Sequence, residues 1–168
     1  LAMLATEHRL SDAAATLLTA RLDDPTGYGR VIRDGRGNVE RIVEQADGSP
    51  AELEIDEVNP SLYCFRRAFL APSLRRLSPE NAQGEYYLTD VVAVLRDTGH
   101  PVAGIEVDDA SEVQQVNDRA ELADAANELA AGQVHVVHGQ HRHELELLRA
   151  VLAELVDPVV VRLAQRER

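Results

Sequence analysis

Residues 22–45 read LDDPTGYGRVIRDGRGNVERIVEQ. Two short apolar runs, Arg30 to Arg33 and Val39 to Val43, flank Asp34-Gly35-Arg36-Gly37-Asn38. Glycines in so short a connection supply the positive φ that tight turns require, so the stretch is predicted as a β-hairpin. Asp23 to Gly27 forms a turn cluster ahead of it. Two features do not belong to an ordinary hairpin: a bare backbone at Gly29, just after the turn, and one carboxylate, Glu44, in the closing apolar run.

Outward from this hairpin, Ala15 to Arg21 and Val58 to Phe65 have strand length and composition, and so does Val102 to Val107. Ala46 to Glu54 reads as a polar loop. Leu1 to Arg9 reads as a helix end, broken at Ser11-Asp12. Helical spacing governs Ala68, Phe69, Leu74 and Leu77, and then Leu88, Val91, Val92 and Leu95. Thr89 is placed to cap the second of these helices and Gly99 to stop it. A further helix is predicted over 120–131, opened by Asn117 or Asp118. Strands alternating with helices argue an α/β fold with a mixed sheet.

Acidic residues outnumber basic ones 29 to 17, a formal net charge of -12. Nucleic acid and anionic membrane surfaces repel such a chain, so neither is an expected partner. No apolar run approaches the ~20 residues of a membrane span. The single cysteine, Cys64, excludes an internal disulfide framework and fits a reducing, cytoplasmic setting. Every basic residue is arginine, so lysine chemistry is excluded from these residues.

Five segments, DDPTGYGR (23–30), IVEQ (42–45), EVNPSLYCF (57–65), NAQGEYYLTD (81–90) and VNDRAEL (116–122), occur in order. Together they resemble the second half of the pyrophosphorylase domain of the bacterial N-acetylglucosamine-1-phosphate uridylyltransferases. The resemblance covers roughly residues 1–131. It implies a partial Rossmann-like nucleotidyltransferase domain, with 132–168 left as a divergent, His-rich and helical tail. The activity it implies joins UTP to N-acetylglucosamine 1-phosphate, giving UDP-N-acetylglucosamine and pyrophosphate. Such phosphoryl transfer relies on positioning and charge neutralisation rather than on a covalent protein intermediate.

The resemblance also assigns residues. Gly29 matches a glycine whose backbone contacts the sugar nucleotide; read without it, Gly29 is a turn glycine. Glu44 matches a carboxylate that accepts hydrogen bonds from sugar hydroxyls, a task that suits an acceptor-only group. By residue type alone it is an outward-facing strand glutamate. Asn59 matches an asparagine that binds the N-acetyl sugar, although Asn-Pro-Ser stands where the family often has Asn-Thr-Gly or Asn-Ala-Gly. Tyr87 and Thr89 match a segment beside the sugar, with a core aromatic and a helix cap as their alternatives. Asn117 matches an asparagine that binds Mg²⁺ through its amide oxygen. Magnesium prefers oxygen ligands, keeps several waters and is shared with substrate phosphates.

The family's uridine- and triphosphate-binding half, with its Gly-rich loop and metal-binding aspartate, is expected upstream of Leu1. The 168 residues alone are therefore expected to supply the sugar side, to lack turnover and to leave a sheet edge uncovered. His135, His138, His141 and His143 read as a solvated loop rather than a metal site, because no defined ligand set accompanies them. Two other readings stay open. One is a nucleotidyltransferase for glucose or mannose phosphates. The other is a non-catalytic docking or homo-oligomerisation module, carried by the stripe Leu145, Leu148, Leu152 and Leu155.

Overall fold

The computed structural model describes residues 2–108, 135–139 and 159–163. The rest of the sheet assembles around β1 (Ala15–Arg21), where six of seven residues are buried. A strand covered on both faces must be apolar almost throughout. ATLLTAR meets that condition, with Thr16 hydrogen-bonded to the buried His8 ring (Nδ1 to Oγ1, 2.8 Å).

Along one edge β1 pairs in parallel with β6 (Val102–Glu106), from Ala15 beside Val102 to Thr19 beside Glu106. Along the other it pairs antiparallel with β4 (Glu57–Asn59) and β5 (Leu62–Phe65). The sequence predicts one strand from Val58 to Phe65; the structure splits it at Pro60-Ser61. Proline has no N–H for the ladder, and Ser61 takes φ 62°, a left-handed conformation unusual for a residue with a side chain. Glycine adopts this conformation most readily, so the bend is made here by a residue that reaches it at some cost.

Beyond the split, β4 also pairs with β2 (Gly29–Arg33), and β2 with β3 (Val39–Val43), the predicted hairpin. On its other side β5 pairs antiparallel with β8 (Val159–Leu163), which lies parallel to β7 (His135–Gly139). One sequence expectation is corrected here: His135 and His138 lie in a strand rather than a loop. β5 has strand neighbours on both sides, β1 and β8. His141, His143, the leucine stripe, the helix over 120–131 and Asn117 lie outside the described residues.

Side-chain alternation along β1 and β5 sorts the core into two layers. Leu18, Leu62 and Cys64 face Leu4 and Ala5 of α1 (Ala2–Leu10). Ala15, Leu17, Tyr63 and Phe65 face the other way, joining Val31 and Ile42 of the hairpin. There they meet Leu70 and Leu74 of α3 (Arg67–Leu74) and Val91, Val92 and Leu95 of α4 (Asp90–Asp97). The result is an α/β fold with a mixed sheet, as expected. One element was not foreseen: α2 (Pro50–Leu53), inside the predicted loop. Glu52 reaches back to the Ser49 N–H (2.9 Å), the capping-box arrangement that the spacing of Ser49 and Glu52 encodes.

The buried carboxylate of Glu57 is gripped by Arg33 through Nε (2.8 Å) and Nη2 (2.6 Å). Burial alone would raise the Glu57 pKa, but the hydrogen bonds and charge of Arg33 outweigh it and hold it below the ordinary range. No helix among the described residues is long and apolar enough to cross a membrane. Because Leu17 is fully enclosed between β5, β6 and the α3–α4 layer, Leu17→Ala is expected to cost about 3–5 kcal/mol in denaturant unfolding. A cost under about 1 kcal/mol would contradict this placement of β1.

Candidate functional site

Antiparallel pairing brings three of the sequence-predicted residues abreast. Gly29 pairs with Asn59 across β2 and β4. Arg30 pairs with Val43 across β2 and β3, so Glu44 follows opposite Gly29. Glu44, Gly29 and Asn59 thus occupy neighbouring strands at one end of the sheet, on the face that carries α4. Gly29 lies in a strand; the turn glycine with positive φ is Gly27 (88°). A Cβ at position 29 would stand 2.9 Å from Ile42 Cγ2 and 3.5 Å from each Glu44 carboxylate oxygen. Packing therefore already requires a bare backbone, and the glycine leaves the carboxylate uncovered on that side.

Glu44 accepts a hydrogen bond from Thr89 Oγ1 at 2.8 Å. The helix-cap reading of Thr89 is not realised by its side chain, which makes no capping bond although the residue stands at the N-cap of α4. The first amides of the helix are satisfied by a tight turn instead: Asp90 N–H to Tyr87 O (3.3 Å), Val91 N–H to Leu88 O (3.0 Å) and Val92 N–H to Thr89 O (3.1 Å). With the helix start closed by the backbone, the hydroxyl is directed at the sheet.

Asn59 is buried, 2% exposed. Its Oδ1 accepts the Ser61 N–H (3.2 Å), and its Nδ2 donates to the Tyr63 hydroxyl. Tyr87 sits in the turn that opens α4. Its hydroxyl is enclosed and lies near the Asp47 carboxylate without a bond of good geometry to it. Burial, then Asp47, push the Tyr87 pKa up. Asp47 Oδ1 accepts the Ala82 N–H (2.8 Å), fastening the 81–86 loop across the end of β3. Asn81 shapes that loop from within, accepting from the Gln83 (3.1 Å) and Glu85 (3.2 Å) amides.

Four residues at the site escaped the sequence reading. Asp90 is partly buried at the start of α4, and burial, then Glu44, then Asp47, raise its pKa to about 6. Asp47 was assigned to a loop. Tyr63 belongs to the predicted strand from Val58 to Phe65, and its hydroxyl accepts from Asn59. Arg30, 2% exposed, lies on the opposite face of β2 from Gly29. It donates to Tyr28 O and to Gln45 Oε1 (2.9 Å), which also accepts the Gly27 N–H (3.2 Å). That buried guanidinium pins the 23–28 turn beside Gly29. Burial lowers its pKa. The signal available in sequence was membership of the quoted segments: Arg30 ends DDPTGYGR, Tyr63 lies in EVNPSLYCF and Asp90 ends NAQGEYYLTD.

Among the described residues no group of three or more His, Cys, Asp and Glu side chains is arranged to hold a metal ion. The proposed metal ligand Asn117 lies outside them.

A family profile described as nucleotidyl transferase matches residues 1–130. The chain belongs to the nucleotidyl transferase family. Within it, the chain is similar to proteins named bifunctional protein GlmU. That of Pelotomaculum thermopropionicum is 56% identical over 124 residues, 74% of this chain and 27% of the relative. That of Trichlorobacter lovleyi is 46% identical over 155 residues, 92% of this chain and 31% of the relative. That of Lactobacillus gasseri is 51% identical over 119 residues, 71% of this chain and 26% of the relative. The chain therefore spans about a quarter to a third of the length of these curated relatives. The nucleotidyl transferase match covers the whole stretch from Gly29 to Thr89 in which the site is built.

Two outcomes test this geometry. Gly29→Ala forces Ile42 to move and is expected to cost about 1–3 kcal/mol in denaturant unfolding; a neutral substitution would mean the strand pair is looser than the register implies. Asp90 carries a folded-state pKa above its unfolded value, so the native state binds more protons between about pH 4 and 6. Its ionisation is thus a loss of stability above about pH 6, relieved on acidification. Asp90→Asn is expected to gain on the wild type in unfolding free energy as pH rises from 4 to 7. A difference independent of pH would contradict that environment for Asp90.

Proposed function

We propose that this chain forms the sugar-binding side of a nucleotidyltransferase that makes UDP-N-acetylglucosamine and pyrophosphate from UTP and N-acetylglucosamine 1-phosphate. One observation carries the reading. The carboxylate of Glu44, the bare backbone of Gly29 and the amide of Asn59 stand side by side at one end of the sheet, walled by Thr89 and Tyr87. The similarity to GlmU proteins over the same residues supports it.

The chemistry assigned to each group follows from its type. Glu44 is an acceptor-only carboxylate suited to sugar hydroxyls, while Thr89 holds one of its oxygens in place. Asn59 offers both donor and acceptor to an acetamido group. Gly29 removes the side chain that would otherwise stand between them. These groups orient the sugar phosphate so that its oxygen approaches the α-phosphorus of the nucleotide in line, and most of the rate advantage of such a step comes from this positioning. Magnesium belongs to the same proposal. When bound it neutralises phosphate charge, and from this chain Asn117 would hold it, together with substrate oxygens and water. The acidic composition and the absence of an apolar span in the sequence fit a cytoplasmic protein.

The test is a titration of the isotope-labelled chain with N-acetylglucosamine 1-phosphate and, separately, glucose 1-phosphate. Backbone amide signals of Gly29, Asn59 and Thr89 are expected to shift, more with the acetamido sugar, at roughly millimolar concentrations, as suits a small ligand held by few polar contacts. Glu44→Ala is expected to abolish the shifts at Gly29. Shifts scattered away from this end of the sheet, or none up to tens of millimolar, would sink the proposal.

A further inference from the structure

Asn59 can donate two hydrogen bonds and accept two. Half of that capacity is already committed. The Ser61 N–H is donor-only, so the atom facing it must be Oδ1, and this fixes which way round the amide sits. Nδ2 then points one proton at the Tyr63 hydroxyl. Tyr63 is fully buried, its ring stacked on Phe65 with centroids 5.5 Å apart, so the hydroxyl cannot swing away. The Ser61 side chain acts on the same oxygen, from the residue held at φ 62°. The left-handed bend after Asn59 therefore supplies two constraints. It aims the Ser61 N–H at Oδ1, and it turns the Ser61 hydroxyl back toward Tyr63.

What remains on Asn59 is one N–H and one carbonyl lone pair. An acetamido group carries the complement, one C=O acceptor and one N–H donor on separate atoms, whereas a sugar hydroxyl must offer both functions from a single oxygen. We propose that Tyr63 is a positioning residue for acetamido selectivity: by taking one Nδ2 proton, its hydroxyl holds the Asn59 amide so that the other proton and an Oδ1 lone pair are presented beside Gly29 and Glu44 to the ligand's acetamido group. The inference rests on the N-acetylglucosamine reading above and adds a residue that does not itself touch the ligand. Without the hydroxyl, the amide keeps only its Oδ1 anchor and rotates about it, and the surplus for an acetamido over a hydroxyl declines.

Tyr63→Phe keeps the ring and its stacking and deletes only the hydroxyl. Two measurements on the full 168-residue chain separate the possibilities. The first is the side-chain amide spectrum of Asn59 in asparagine-labelled protein. In the wild type the two Nδ2 protons are expected to be well separated, one of them slow to exchange; in Tyr63→Phe they are expected to draw together and exchange faster. The second is the ratio of dissociation constants for UDP-glucose and UDP-N-acetylglucosamine, expected to fall roughly three- to tenfold in Tyr63→Phe, the worth of about one neutral hydrogen bond. Ser61→Ala removes the second group acting on the same oxygen, is expected to move both readouts in the same direction by less, and serves if Tyr63→Phe does not fold. An unchanged Asn59 spectrum in both variants overturns the proposal. So does a loosened amide with an unaltered sugar ratio, since that would make the contact structural only. A wild-type chain with no preference for the acetamido sugar overturns the functional reading and the subsite with it, while the Asn59 spectrum still reports whether Tyr63 orders the amide.

Discussion

The two-residue alternation of an antiparallel ladder is the constraint from which the site follows. Glu44, Gly29 and Asn59 meet because β3, β2 and β4 are in one register and because all three positions point to the same face. A slip of one residue in β2 would bring Arg30 to that face and turn Gly29 away, leaving a guanidinium where the bare backbone now stands. The apolar members of the same strands oppose such a slip. Val31 and Ile42 are buried with α3 and α4 in the larger core, and their burial specifies the register that the polar residues require. Core and site are thus encoded by one pattern, with the hydrophobic half enforcing the geometry of the polar half.

The polar half is crowded with negative charge. Burial first, then the charges of Glu44 and Asp47, raises the Asp90 pKa to about 6. Glu44 accepts from the Thr89 hydroxyl and Asp47 from the Ala82 amide, so each of these carboxylates has a donor. Arg30, close in sequence, contributes differently: it donates to the Tyr28 carbonyl and to Gln45 and so organises the turn, with the Asp24 charge acting on it from the same turn. Glu57 shows the opposite arrangement a few residues from Asn59, a buried acid fully paired with Arg33.

Much of this was legible in the chain. β1, β3 and the helix at Val91, Val92 and Leu95 follow from apolar periodicity, which reports burial directly. The break at Pro60-Ser61 was present as a departure from Asn-Thr-Gly, but its consequence depended on a backbone angle that residue identity does not fix. α2 was passed over because four residues give no periodicity, although Ser49 and Glu52 stand at capping-box spacing. Strands at His135–Gly139 and Val159–Leu163 were hidden because histidine and the leucine stripe dominate the reading of the tail. At the site, the segment positions with an assigned role were found, while Arg30, Tyr63 and Asp90, inside the same segments, act through burial that residue type does not report. Tyr63 looks like any core aromatic until the bend at Pro60-Ser61 brings Asn59 beside its hydroxyl, and Asp90 looks like a helix-start acid until burial and the charges of Glu44 and Asp47 act on it.

The turn that opens α4 has a mechanical consequence. Because backbone carbonyls of Tyr87, Leu88 and Thr89 close the helix start, those residues ride on α4 as one rigid piece, and α4 is seated in the interior by Val91, Val92 and Leu95. One flank of the cleft is therefore as stiff as the protein's interior. The 81–86 loop leads directly into this piece and is linked to the end of β3 by the Ala82 amide on the Asp47 carboxylate, so the loop, the helix start and the hairpin are joined at one place.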